Sequence, residues 1–189
     1  EMCIRDRAGT ARTPARRFHR PDPMLMGALL DGAARHFTMA DALDGQGWHV
    51  REGAAPLARW TGPGRVATIR LAAPPSRRVN LSLQLISVLD WAMVEGVQLT
   101  LDGIAPQARP QPVQEGPYPA LLASFDLPDT GTGLRELSIE VPFTRSHAEI
   151  DPSIDDHRQK GLAIGEISLT VAEDASPATL CALLWQGAD

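Results

Sequence analysis

The chain has 189 residues, of which 43% are hydrophobic and 22% charged, a balance typical of one globular domain with a sizeable core. Its formal net charge is −5, and it has no apolar run of about 18 residues, so the sequence predicts no membrane span. The two cysteines, Cys3 and Cys181, match no zinc spacing and no disulfide framework. We therefore expect no metal or other cofactor.

The charges are unevenly distributed along the chain. Residues 1–78 carry 13 arginines and 7 acidic residues, whereas residues 79–189 carry 5 basic and 16 acidic residues. Much of the basic excess lies in RDRAGTARTPARRFHR at 5–20, which could contact nucleic acid or anionic lipid. Few bulky apolar residues accompany these charges, so we predict a solvated, disordered arm at 1–23 and no nucleic-acid partner.

The first seven residues, EMCIRDR, resemble a peptide that recurs in metagenomic sequences when sequencing-adapter DNA is translated. On that interpretation, residues 1–7 do not belong to the native protein, and the chain is a fragment of a longer one. The abundance of arginine, alanine, glycine and proline is typical of a GC-rich bacterial genome. These features leave the cellular location open.

The segment MLMGALLDGAARHFTMADAL at 24–43 has helical periodicity. Leu25, Leu29 and Phe37 fall on one face, and the Asp-Pro pair at 22–23 is suited to a helix start. We therefore predict a short N-terminal helical segment at 24–43.

From residue 44 onward, apolar and polar residues alternate, which indicates half-buried β-strands. No segment between them is long enough for a crossover helix. We predict an all-β fold over 44–172, an antiparallel β-sandwich, jelly-roll-like, with about eight strands. The tail at 173–189 suits a short helix or the start of a further segment. The clearest strand candidates are RVATIRLA at 65–72, VNLSLQLISVL at 79–89, VQLTLDG at 97–103, LLASFDL at 121–127, LRELSIEVPF at 134–143 and LAIGEISLTV at 162–171.

One dipeptide and one proline-rich segment mark connections between these strands. Asp-Gly at 102–103 is a hairpin-turn pair. The segment PQARPQPVQEGPYP at 106–119 is rich in proline, which cannot donate to a sheet ladder. We expect this segment to form an extended loop or an excursion at a sheet edge.

Aromatic and charged residues are concentrated in GWHVREGAAPLARWTG at 47–62. Sugar sites use aromatic rings to cover the C–H face of a pyranose, with charged groups bonding the hydroxyls. The alternative is that the tryptophans pack inside the fold. Trp60, within the apolar LARW, is the better candidate for the core, whereas Trp48 beside a turn is the better candidate for the rim of a site. Trp91 is expected to anchor a loop that closes the end of the sandwich, or to form a loop-tip contact.

A second charged segment, IDPSIDDHRQKGLAIGEISL at 150–169, lies just before the last predicted strand. Clustered carboxylates at 151–156 could bind Ca²⁺, but the alternating ligands of an EF-hand are missing and basic residues compete for the acids. We expect instead a salt-bridged loop in which Asp155 or Asp156 pairs with Arg158 or Arg59.

The sequence contains no recognisable catalytic motif. The five histidines match no HExxH spacing, no GxSxG elbow occurs, and the glycine-containing turns lack the lysine and helix of a phosphate loop. A Ser–His–Asp group could still assemble in space, because such triads are recognised by geometry. We predict that this chain is not an enzyme.

Taken in order, GW…E……RWTG, ATIRLAAP, VNLSLQLISV, VQLTLDG and DDHRQKGLAIGEISL resemble a β-sandwich module of bacterial polysaccharide-biosynthesis and cell-envelope proteins. Such modules are often fused to family-2-type glycosyltransferases. The resemblance covers about residues 44–172. His157 departs from it, since proline is usual there, and one extra residue separates Arg158 from Gly161.

This resemblance implies a non-catalytic accessory module with a glycan and a glycosyltransferase domain of the parent chain as partners. The alternative is a structural domain that docks on a partner catalytic domain. The opening hairpin and the last strand are expected to converge, as neighbours in a closed sandwich. The residues expected to bind a ligand are Trp48, Glu52, Arg59, Trp60, Asp156 and Arg158.

Overall fold

Two antiparallel sheets account for most of the computed structural model, which describes residues 34–53, 56–128 and 133–172. The arm predicted at 1–23, residues 24–33 of the predicted helical segment and the tail at 173–189 lie outside the described residues. Within the described part, the chain forms ten strands and two short helices. The strands are β1 Ala34–Thr38, β2 Gly45–Gln46, β3 Arg59–Trp60, β4 Val66–Ala72, β5 Arg78–Val88, β6 Gln98–Leu101, β7 Gln111–Glu115, β8 Tyr118–Asp126, β9 Leu134–Glu140 and β10 Leu162–Val171, and the helices are α1 Trp91–Glu95 and α2 His147–Ile150.

The strand order confirms the predicted antiparallel β-sandwich. The first sheet runs β1-β10-β5-β8-β7, with β3 also paired to β10, and the second runs β2-β4-β9-β6. Among the connections between successive strands, only that from β7 to β8 stays within one sheet. This repeated crossing between layers gives the jelly-roll-like order. None of the helices in the described residues is long and apolar enough to cross a membrane.

Alternation in the sequence places the core between the sheets. On β5, Leu81, Leu83 and Leu85 are buried, while the residues between them are partly exposed. Leu137 and Ile139 of β9 are fully buried in the same cluster. Removing one such buried leucine side chain typically costs about 2–5 kcal/mol, so this layer of aliphatic side chains dominates the stability of the fold.

The helix predicted at 24–43 is wrong for the part of that segment that the structure describes. Ala34–Thr38 forms β1, an edge strand that pairs antiparallel with β10, with His36 opposite Ser168. The backbone groups along this edge of β10 require hydrogen-bonding partners, and this long-range pairing overrides the local helical periodicity. The sandwich therefore includes β1 and extends N-terminally beyond the predicted boundary at residue 44.

The proline-rich segment behaves as its composition predicts. Its residues Gln111–Glu115 form β7 at an edge of the first sheet, paired on one side with β8. Pro112 stands opposite Leu121 in this ladder. An edge position tolerates proline because one side of the strand makes no ladder hydrogen bonds.

Candidate functional site

The opening hairpin and the last strand meet in the first sheet, as the sequence predicts. Trp60 of β3 stands opposite Ala163 of β10. The Thr61 N–H donates to the Leu162 carbonyl over 2.9 Å, and the Gly161 N–H donates to the Thr61 carbonyl over 2.8 Å. These bonds fix the two charged segments of the sequence side by side.

A short hairpin brings Glu52 to this junction. The backbone N–H groups of Glu52 and Ala58 each donate to the other residue's carbonyl, over 2.8 and 2.9 Å. At the base of the hairpin, the Gly62 N–H donates to the Gly47 carbonyl over 2.8 Å. The His49 ring nitrogen Nε2 lies 2.8 Å from the carbonyl of Gln159, which ties the hairpin to the loop before β10.

The loop before β10 is held by its own polar contacts. Ser146 caps α2: its hydroxyl accepts from the Glu149 N–H, and the Glu149 carboxylate accepts from the Ser146 N–H. The Glu149 carboxylate also accepts from the Gln159 amide over 2.7 Å. The Ala148 N–H donates to the Asp156 carbonyl over 3.1 Å. The loop therefore presents Asp156 in a fixed position.

Glu52, Asp156, Arg158 and Lys160 form one charged cluster at the junction. The Lys160 side chain is only 1% exposed, and its Nζ lies 2.7 Å from Asp156 Oδ2 and 3.7 Å from Glu52 Oε2. Its Nζ also lies 5.0 Å from the centroid of the Trp60 ring. A buried ammonium requires such partners, since an unpaired charge inside a protein is strongly unfavourable.

Arg158 joins the two acids of the charged cluster. Its Nε donates to Asp156 Oδ1 over 2.9 Å, and its Nη2 donates to Asp156 Oδ2 over 2.7 Å. Its Nη1 donates to Glu52 Oε1. The bidentate contact with Asp156 is the geometry that a planar guanidinium makes best with a carboxylate. Arg158 remains 43% exposed, so the cluster has a buried lysine side and a solvent-facing arginine side.

The contacts of the charged cluster favour the ionised forms of Asp156 and Arg158. Hydrogen bonds from Arg158, and then from Lys160, hold the pKa of Asp156 well below its usual value. The Asp156 carboxylate, followed by that of Glu52, raises the pKa of Arg158 above its usual value. Asp156 is therefore an anion at neutral pH and does not act there as a proton donor.

Trp60 is buried, but in a small cluster separate from the main core. It packs with Ala58 and Ala163, and Ile86 lies against the same cluster. The His147 ring meets Trp60 edge-on, with centroids 5.7 Å apart and planes at 88°. With Lys160 on its ring, Trp60 has no face free to stack on a ligand.

Two of the predicted site residues, Trp48 and Arg59, lie apart from the charged cluster. Trp48 packs against the main core, and its indole N–H donates to the Thr68 carbonyl over 2.8 Å. Arg59 donates from Nε to the Met39 carbonyl over 3.1 Å, and desolvation followed by the Arg51 charge lowers its pKa. Of the two arginines predicted to pair with Asp155 or Asp156, Arg158 therefore makes the contact, with Asp156, and Arg59 does not.

The structure unites Glu52, Asp156 and Arg158 and places Trp60 beside them. Sequence reasoning did not include Lys160 in the site, although it lies two residues before the buried strand β10. A charged residue so close to an apolar strand was the available signal, but no sequence pattern distinguishes a buried lysine from a solvated one there. Asp155, the other aspartate considered for this pairing, is exposed, and its Oδ1 lies 3.2 Å from Nε2 of His157.

The carboxylates of the 151–156 loop have separate partners. Asp151 accepts from the backbone and hydroxyl of Ser153, whereas Asp156 is bound by the basic side chains of the charged cluster. Among the described residues, no group of three or more His, Cys, Asp or Glu side chains is arranged to hold a metal ion.

One Ser–His–Glu group occurs on the outer face of the first sheet. Ser168 Oγ lies 3.0 Å and Glu166 Oε1 lies 2.8 Å from the same ring nitrogen, Nδ1 of His36. A catalytic triad uses the two opposite nitrogens of its histidine, one toward the serine and one toward the acid. This group therefore lacks the geometry of a proton relay.

No family model, curated protein or solved structure matches the chain. The likeness to modules of polysaccharide-biosynthesis proteins therefore rests on the short sequence motifs alone.

Proposed function

We propose that this β-sandwich is a non-catalytic accessory module that binds or orients glycan during assembly of bacterial cell-envelope polysaccharide. The observation that carries the proposal is the solvent-facing Arg158–Glu52 pair, which the buried part of the charged cluster holds in place. A guanidinium and a carboxylate side by side offer donors and acceptors to the hydroxyl groups of a sugar.

The charged cluster favours binding because its hydrogen bonds hold Arg158 in one conformation before a ligand binds. Three of its N–H groups donate to Asp156 and Glu52, and Asp156 is in turn held by Lys160. The other N–H groups of the Arg158 guanidinium have no partner among the described residues. A side chain already held in one conformation loses less entropy when it binds, so its remaining donors contribute more to affinity.

The same contacts favour a non-catalytic role for the charged cluster. Both oxygens of Asp156 are bound to cations, and its lowered pKa disfavours proton transfer near neutral pH. Lys160 is enclosed and paired, so its amine has no access to a substrate.

The second candidate is a domain that docks on a partner catalytic domain. Ile150 at the end of α2 and Ile154 in the following turn are both exposed. Exposed aliphatic side chains on one loop favour a protein contact. The other exposed large apolar residues of the described chain lie in separate segments, at Val50, Val66, Trp91 and Leu134.

A glycan-array screen of the full chain tests the proposal, with Arg158→Gln as the site variant. Arg65→Gln is the matched control, because Arg65 forms an exposed ion pair with Glu140 on the second sheet. The distance from Arg65 Nη2 to Glu140 Oε1 is 2.8 Å. We expect the parent and Arg65→Gln to bind the same glycans and Arg158→Gln to lose them, with circular dichroism unchanged.

Two results would count against the proposal. Binding that Arg158→Gln leaves intact would remove the charged cluster from the glycan site. A parent chain that binds no glycan on the array would overturn glycan recognition altogether and favour the docking domain.

A further inference from the structure

We infer that Trp91, with Asp90 and Arg145, forms the aromatic platform of a binding site for uncharged polysaccharide. This inference rests on the proposed function and assigns its stacking surface to residues outside the charged cluster. The other tryptophans of the described chain are unsuited to that role: Trp60 is 5% exposed, and Trp48 packs against the core.

Trp91 is exposed on a helix that is otherwise anchored in the core. Trp91 is the first residue of α1, and it is 47% exposed. Met93 and Val94 of the same helix are buried in the main cluster. The Asp90 carboxylate caps the helix by accepting from the Ala92 N–H over 3.0 Å. The indole therefore projects from a fixed backbone, which suits stacking on a sugar ring.

Asp90 directly precedes Trp91 in the chain, and its contact with Arg145 supplies polar groups suited to sugar hydroxyls. Arg145 Nη1 is 3.5 Å from the second carboxylate oxygen of Asp90, and both side chains are partly exposed. The Arg145 guanidinium lies over the Phe143 ring, 5.5 Å from its centroid. The contacts with Phe143 and Asp90 hold the guanidinium in place, as the carboxylate contacts do for Arg158.

The platform is joined directly to the charged cluster. The backbones of Arg145 and Lys160 form a β-bridge with hydrogen bonds of 2.9 and 2.8 Å. Arg145 thus contacts Asp90 through its side chain and Lys160 through its backbone. A chain of several sugar units is the ligand class that can contact both the platform and the Arg158–Glu52 pair.

The charges of both groups indicate an uncharged glycan. The platform pairs one acid, Asp90, with one base, Arg145. The charged cluster pairs Glu52 and Asp156 with two bases. Neither group carries excess positive charge to attract a polyanion, and the chain as a whole has a net charge of −5. Binding should accordingly change little with salt concentration.

Affinity electrophoresis of the full chain tests the platform, with hydroxyethylcellulose and galactomannan as neutral probes and alginate as the anionic probe. We expect retardation by a neutral probe but not by alginate. Trp91→Ala and Trp91→Gln should each weaken binding about tenfold or more, whereas Trp91→Tyr should retain part of it. Leu134→Ala is the control, because Leu134 is another exposed large apolar residue, at the start of β9.

The possible results separate the platform from the proposed function. If a neutral probe binds and both non-aromatic Trp91 variants, folded by circular dichroism, keep the parent's affinity, the platform is overturned while glycan binding stands. Retardation by alginate alone overturns the assignment to uncharged polysaccharide. If the parent binds neither these probes nor any glycan on the array, the proposed function fails and the platform fails with it.

Discussion

The Lys160 ammonium lies 2.7 Å from the Asp156 carboxylate, enclosed between the opening hairpin and the loop before β10. The ring of Trp60 lies against its other side. This one side chain therefore joins two segments that are far apart in the sequence, the opening hairpin and the loop before β10. A buried cation of this kind holds them together only while its partners are present, because its desolvation is costly.

Replacing Lys160 should destabilise the protein. We expect Lys160→Ala to lower the free energy of unfolding by about 2–4 kcal/mol, because it removes the buried partner of Asp156 and leaves a cavity beside Trp60. Urea denaturation measures the change. Asp126→Asn is the control: it breaks the exposed Arg78–Asp126 contact of 3.2 Å, and we expect a loss below about 1 kcal/mol. Equal stabilities for parent and Lys160→Ala would contradict the structural role of the lysine.

Acid should weaken the fold through Asp156. Its pKa is lowered in the folded protein, so the unfolded state binds the proton more readily. The contribution to stability is therefore complete above the ordinary pKa of 3.8 and is lost as the pH falls below that value. Urea denaturation at several pH values between neutral and acidic conditions should show a shallower acid loss for Asp156→Asn than for the parent. The variant keeps some loss, because Glu149 and Asp151 also have lowered pKa values. Parallel curves would contradict this assignment.

Local patterns were sufficient to predict most of the sandwich. The alternation on β5 and β10 is set by burial of one strand face, which a sequence displays directly. The Asp-Gly pair forms the expected turn, with φ of 52° at Asp102 and 77° at Gly103. The strand β1 was not predictable in the same way, because its pairing depends on β10, which lies more than a hundred residues away.

The site was only partly predictable for a related reason. Charge composition indicated a pair between Asp155 or Asp156 and Arg158 or Arg59, and the structure pairs Asp156 with Arg158. The apolar LARW indicated that Trp60 would be buried, but what encloses it depends on the contact between β3 and β10. The contacts of Trp60 with Lys160 and His147 arise from that junction and have no signature in either segment alone.

The base of the opening hairpin should not tolerate a side chain at Gly47. Its φ of 77° lies in the left-handed region, and a Cβ would stand 2.2 Å from the Val66 carbonyl oxygen. We expect Gly47→Ala to cost about 2 kcal/mol or more in thermal or urea unfolding. Gly64→Ala is the control, because a Cβ there meets nothing within 4 Å. A Gly47→Ala variant as stable as Gly64→Ala would show that the hairpin base is not constrained.

Removing the cap of α2 should loosen the loop that positions Asp156. Ser146 is buried, and its hydroxyl accepts from the Glu149 N–H over 3.2 Å. We expect Ser146→Ala to cost about 1 kcal/mol of stability and to speed proteolytic cleavage within 147–156. Ser153→Ala is the control, since that hydroxyl is exposed and bonds only within its own turn. Because Arg158 is held by Asp156, the Ser146 variant should also weaken any glycan binding without touching a ligand. Faster cleavage with unchanged binding would separate the order of the loop from the orientation of Arg158.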